Sequence, residues 1–233
     1  RFVPIKEQAQ LDLQTIHRIR QRLVGPRTAL INQLRAILLE RGIIPQRRRV
    51  LDRQLPGLLA DEGNGFSPRI RLLIEDIRAE WREFDTRIKV LDCELIARQN
   101  LSIIVAGSVK FRAIGALNAT ALMAAVSNGA AFDKGRDMAP WLGLTPREHS
   151  MGGKQRLFGI SKRGNTYLRT LLIHGARAAL PFLAAGKTPL AVVAQVLVRA
   201  HRNVVIVALP NTLARITWTV LSGTQPYRPR AAA

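Results

Sequence analysis

Apolar residues in the first hundred positions recur at helical spacing. Ile16, Ile19, Leu23, Leu30, Leu34 and Ile37 share one stripe. Ile77, Trp81, Phe84, Ile88, Leu91 and Leu95 follow one another at intervals of 4, 3, 4, 3 and 4. That alternation is the period of a coiled-coil seam rather than of an isolated surface helix. Charged residues from Glu75 to Lys89 fill the other faces of the second stripe. Ser67 stands where an N-cap belongs and Pro68 at the first helical position. In the first stripe Gly25-Pro26 predicts a kink or a break into two helices, because proline removes a donor and crowds the preceding turn. Gly42 and Pro45 end it, and residues 42–67 read as a connection. Residues 1–100 are therefore expected to form an antiparallel helical hairpin roughly 45–50 Å long. Such a hairpin commonly holds partners or copies of itself, so residues 5–100 read as the contact of a homo-oligomer. Two helices of one compact bundle are the alternative.

Residues 101–233 also read as helical, giving a mainly all-α chain of two regions. Asn118 to Val126 is alanine-rich and suits a tightly packed helix, and Phe132 to Leu144 is a short amphipathic segment containing Trp141. Asn165 or Thr166 caps a helix that is expected to stop at Pro181. Thr188-Pro189 opens another, to about Arg199, and a last helix follows Asn203 with a bend at Pro210. No stretch alternates convincingly with period two; Val204 to Val207 is the weakest helical segment and the place where one short strand would hide.

Charge adds the first functional information. The chain has 233 residues, 36 Lys+Arg against 16 Asp+Glu, and a formal net charge of +20. Thirteen of the acids lie before residue 100, and from Met151 to Ala233 there is no acid against twelve Lys and Arg. A surface without offsetting acids suits a polyanion, and the expected partner is nucleic acid. Twelve aromatic residues are too few for a base-stacking platform. The 47% hydrophobic content excludes a disordered basic tail. The lone Cys93 forms no internal disulfide, which points to a reducing, cytoplasmic setting. RFVPIKEQAQ has no apolar core of a secretory leader, and its lack of Met marks a fragment or processed piece. Pro210, Asn211 and Arg215 interrupt the closest approach to a membrane span, so no membrane contact is expected.

Candidate chemistry falls between Pro146 and Arg169. Lys162 and Arg163 precede a glycine and a capped helix, an arrangement suited to phosphate, with Arg169 one turn further on. Gly152 and Gly153 let the backbone approach a ligand, and Lys154 adds charge. Ser150 lies in this cationic stretch beside His149. From the residues alone it is either a nucleophile toward phosphorus or a loop serine bonded to its own backbone. His174, in an apolar helix, reads as a core histidine; His17 and His201 carry no signal. No cluster has metal-ligand spacing.

The stretch WLGLTPREHSMGGKQRLFGISKRGNTYLRTLLIHGAR, from Trp141 to Arg177, resembles the C-terminal domain of the "one-ten" insertion-sequence transposases. These are DEDD-type recombinases related to the Piv invertases, some of which use a bridge RNA. The resemblance extends upstream to FVPIK and downstream through NVVIVALPNTLARITW to QPYRP. It implies a RuvC-like domain ahead of Arg1 holding Mg²⁺ through four acids, a helical insertion, and a helical domain that supplies a serine to cleave and rejoin DNA. No cofactor is expected in this chain itself. Ser150 matches that serine, with Met151 where many relatives have a second polar residue. Arg147, His149, Gly152, Gly153, Lys154, Lys162, Arg163, Asn165 and Arg169 would line the nucleic acid. The family's glycine-rich turn is reduced here to Gly115 within Arg112–Ala116. A non-catalytic nucleic-acid-binding remnant of such a transposase is the alternative function.

Overall fold

The computed structural model describes residues 5–44, 47–100, 114–184 and 201–223. The helix expected over 188–199, the residues 110–112 and the QPYRP stretch lie outside them. The described chain is mainly helical, as its patterning requires, with a single two-stranded sheet among the described residues. It divides into two compact units, Thr15–Glu94 and Arg1–Gln14 with Leu95–Ala233.

The first unit is built on α1 (Gln8–Leu39), α2 (Arg48–Ala60) and α3 (Pro68–Asn100). On α3 Ile74, Trp81, Ile88 and Leu95 recur every seven residues and are all buried, while Ile77, Phe84 and Leu91 on the adjoining edge are half-buried. On α1 Ile16, Leu23, Ile31, Leu34 and Leu38 are buried, whereas Ile19, expected on the stripe, is exposed. Ion pairs fix the direction: Arg20 bonds Asp92, and Arg27, one heptad on, bonds Asp85 at 3.3 Å, one heptad back. A constant index sum is the mark of antiparallel helices.

Two expectations are corrected here. α1 runs unbroken through Pro26; one lost hydrogen bond costs less than the apolar face on either side gains by staying continuous. The connection over 42–67 contains α2, whose Leu51, Leu55 and Leu59 join Leu34, Leu38, Phe66, Ile74 and Trp81 in one core. Asp85 ties the three helices, accepting from Arg27, from Arg48 at 2.7 Å and from Trp81 Nε1 at 2.9 Å. Asp52 of α2 accepts from Arg78 and Arg82, each at 3.1 Å. Burial works to raise the Asp52 pKa, but the bonds from Arg82 and Arg78 outweigh it and hold the carboxyl below its ordinary value.

The second unit packs α4 (Ala116–Val126), α5 (Gly135–Trp141), α6 (Thr166–Ala184) and α7 (Arg202–Ser222) around Leu122, Met138, Leu142, Leu168, Leu172, Leu209 and Leu213. The alanine-rich α4 is buried along most of its length, small side chains permitting close approach. α7 has the length and apolarity of a membrane span, but half of it is buried, and it packs on α5 and α6. It is one helix through Pro210, and Val204 to Val207 is helical, not a strand. α6 likewise continues past Pro181 to Ala184. His174 on α6 is exposed rather than part of the core, because it falls on the side opposite Leu168, Leu172, Ala176 and Ala179.

His17 is the buried histidine instead, 3% exposed on α1. Its pKa is lowered to about 4, first by burial and then by Arg20, with Asp92 opposing. The unfolded chain therefore binds a proton between about pH 6.5 and 4 that the folded one excludes. Stability contributed by neutral His17 is present above this window and lost as pH falls through it, by about 3 kcal/mol in full. Urea unfolding that exposes Trp81 should shift to lower midpoint on acidification from pH 7 to 4.5, and H17L should flatten the shift. A midpoint equally steep in H17L would assign the acid sensitivity elsewhere.

Candidate functional site

The glycine-rich stretch expected as a loop is a β-hairpin. β1 (Pro146–Glu148) pairs antiparallel with β2 (Leu157–Ile160), with an irregularity that gives β2 one extra residue. Beyond β1 the His149 N–H donates to the Arg156 carbonyl at 3.0 Å, and Met151 and Lys154 exchange bonds of 3.3 and 3.1 Å. Gly152 and Gly153, with φ of +60° and +73°, are the two central residues of a two-residue turn. Positive φ at both positions is the type I′ geometry that matches strand twist, and only glycine adopts it freely. The positive φ of both is explained by this turn, and the space beside each is open. The sequence showed no period-two alternation here because both hairpin faces are solvent-exposed, so no face had to be apolar.

Register decides which side chains meet. Pairing of 149 with 156 and of 151 with 154 places Glu148, Ser150, Gln155 and Leu157 on one face, and Arg147, His149, Met151, Lys154 and Arg156 on the other. Hydrogen bonds agree. Ser150 Oγ donates to Glu148 Oε1 at 2.6 Å, and Gln155 Nε2 donates to the same oxygen at 3.2 Å. The serine is thus neither bonded to its own backbone nor beside His149. It faces a carboxylate that sequence reasoning counted but gave no role.

The hairpin is rooted in a backbone-to-backbone contact. Gly143 and Gly164 meet so closely that a Cβ on Gly143 would lie 1.9 Å from the Arg163 carbonyl oxygen, and one on Gly164 2.0 Å from that of Trp141. Lys162 N donates to the Gly143 carbonyl at 3.1 Å and Ser161 N to that of Thr145 at 2.8 Å. Lys162 itself takes a left-handed backbone, φ +56°. Asn165 caps α6, its Oδ1 accepting from Leu168 N at 3.1 Å. Arg169, expected among the phosphate ligands, is 7% exposed. Its guanidinium donates to the Leu142 carbonyl at 3.0 Å and to Thr166 Oγ1 at 3.1 Å, so it clamps the root instead. Lys162 and Arg163 remain exposed beside it.

A second cationic surface escaped the sequence. Lys134 and Arg136 at the start of α5 and Arg215 of α7 line an open cleft of about 280 Å³ with Trp218 and Thr219. Residues so far apart in sequence give no linear signal. Among the described residues no three His, Cys, Asp or Glu side chains gather as a metal ion needs. The Mg²⁺ that the resemblance implies, expected on acids ahead of Arg1, therefore finds no matching set of ligands among the described residues.

The site is thus a rigidly rooted, basic β-ribbon that carries an exposed serine. Comparison with known proteins identifies the family. Residues 110–188 match the family described as Transposase IS116/IS110/IS902. A probable family 20 transposase of Pseudomonas aeruginosa is 40% identical over 98% of this chain and 69% of its own length. The transposase for insertion sequence element IS1111A of Coxiella burnetii is 38% identical over 98% of this chain and 63% of its own. That for insertion sequence element IS1328 of Yersinia enterocolitica is 33% identical, over 94% and 65%. The chain belongs to the IS110/IS116 family of transposases, and it spans about two thirds of the length of these relatives.

Replacing Gly164 by alanine sets a Cβ against backbone that has no side chain to move, at a φ of +100°. G164A should cost about 3 kcal/mol and be read as a lower thermal midpoint with loss of amide protection at Ser161 and Lys162. Unchanged protection would show that the root tolerates separation.

Proposed function

We propose that the chain works in DNA transposition, gripping DNA through its basic ribbon and supplying Ser150 as the nucleophile. The observation that supports this best is the two-sided ribbon: cations on one face, an exposed serine hydrogen-bonded to a carboxylate on the other. A two-stranded β-ribbon fits the major groove, whose walls are phosphate backbones. Seated there, Arg147, Lys154 and Arg156 face one strand's phosphates while Ser150 faces the other strand. Lys162 and Arg163 at the ribbon's root, and the Lys134–Arg136–Arg215 cleft, extend the cationic surface to neighbouring phosphates.

In this reading Ser150 Oγ attacks a backbone phosphorus, giving a phosphoserine link that a strand end later resolves. Mg²⁺, a bridge RNA and the cytoplasmic setting belong to the complete transposase and come to this chain through the family. The unit carrying α1 to α3 is the assembly element in this proposal, with Leu72, Leu73, Val90 and Ile96 exposed along α3.

In a full-length transposase carrying this chain, S150A should abolish recombination while leaving DNA affinity within twofold. Recombination surviving that change would remove Ser150 as nucleophile and leave a nucleic-acid-binding role. Changing Arg147, Lys154 and Arg156 together to alanine should flatten the plot of log K against log salt by about 0.9 for each phosphate no longer neutralised. A slope equal to wild type would place the grip elsewhere.

A further inference from the structure

From Met138 to Ala233 the chain contains one acidic residue, Glu148, amid a large excess of lysine and arginine. A carboxylate weakens a phosphate-binding surface by repulsion, so this one stands out against its surroundings. It lies two residues before Ser150, on the same face of the ribbon, and accepts the Ser150 hydroxyl at 2.6 Å. Gln155 from the opposite strand donates to the same oxygen at 3.2 Å, which sets the carboxylate's rotation. The arrangement has the three parts of an activated nucleophile: an attacking hydroxyl, a base within hydrogen-bond reach, and a third group that orients the base. His149, the other base nearby in sequence, lies on the opposite face.

We infer that Glu148 is the general base for Ser150 and that Gln155 positions it. The inference rests on the reading of Ser150 as nucleophile. In the step, a bond forms between Oγ and phosphorus as the bond between phosphorus and the departing deoxyribose oxygen breaks. The Oγ proton passes to Glu148 Oε1, and the departing oxygen takes a proton from water. Glu148 is the one carboxylate of the ribbon, and it already accepts the Ser150 hydroxyl. Carboxylate and serine lie two positions apart on the same arm of the hairpin, so the local backbone sets their separation. Any movement of the ribbon on DNA carries both together.

The test uses a phosphorylating probe, diisopropyl fluorophosphate, on the chain as it stands. Here Oγ attacks phosphorus, the P–F bond breaks and fluoride leaves, so no partner domain is needed. Peptide mapping should show Ser150 labelled at least tenfold faster than the exposed Ser67 and Ser222. E148Q, which keeps size but accepts no proton, should slow Ser150 labelling about 100-fold with the Met151–Lys154 turn amides still protected. E148A should be equally slow and recover in proportion to added formate, a response that a purely structural role does not give. Q155A should slow labelling about tenfold.

Ser150 labelled no faster than the control serines, E148Q labelling at the wild-type rate, or E148A unresponsive to formate would each overturn the proposal. Comparison with recombination separates the two readings. Normal labelling in E148Q together with inactive S150A removes the base and keeps the nucleophile, whereas active S150A removes both.

Discussion

The close approach of Gly143 and Gly164 is the constraint on which the site depends. Two antiparallel strands with both faces in water are marginal by themselves, lacking a third strand or an apolar face to bury. Here the two ends of the hairpin are stitched to the end of α5 and the start of α6, where backbone meets backbone with no side chain between. Arg169 completes the joint by spending its charge on the Leu142 carbonyl, which would otherwise end a helix without a partner. A guanidinium buried in this way stabilises a loop root; it is not available to a phosphate. The outcome is a ribbon whose base is fixed by backbone contact and whose two faces are exposed.

The ribbon's alternation then separates two sets of side chains that a charge count merges. Arg147, Lys154 and Arg156 stand on one side, while Ser150, Glu148 and Gln155 stand on the other. A single strand period thereby keeps the cations from pairing with the carboxylate. The three-helix unit solves a different problem. Its seam carries buried apolar residues at heptad intervals, and Asp85 and Asp52 gather arginines from neighbouring helices. The seam residue His17 is held neutral by its burial, which makes this unit the acid-sensitive one.

Legibility in the sequence followed burial. The α3 seam was readable because Trp81, Ile88 and Leu95 repeat at a fixed interval, and α4 because its alanines leave no other reading. α2 was hidden by Pro45, Pro56 and Gly57, although Leu51, Leu55 and Leu59 carried the four-residue spacing that betrays it. Proline at 26 and 181 misled in the same way where it suggested a helix end: a local breaker was outweighed by packing along the rest of the helix. The hairpin had no apolar period to show, only the paired glycines. Arg169 looked like a ligand because composition does not reveal which arginine is buried. Ser150 was singled out by resemblance to a family; its carboxylate partner became visible only once the strand register was known.

Mapping the residue that becomes joined to DNA tests the account most directly. A full-length transposase carrying this chain, reacted with a DNA substrate whose cut end is lost by diffusion, should accumulate a covalent adduct. After nuclease and protease digestion, mass spectrometry should locate the phosphate on Ser150, within the peptide that spans the hairpin turn. A phosphate mapped to any other residue, or cleavage without an adduct, would contradict it.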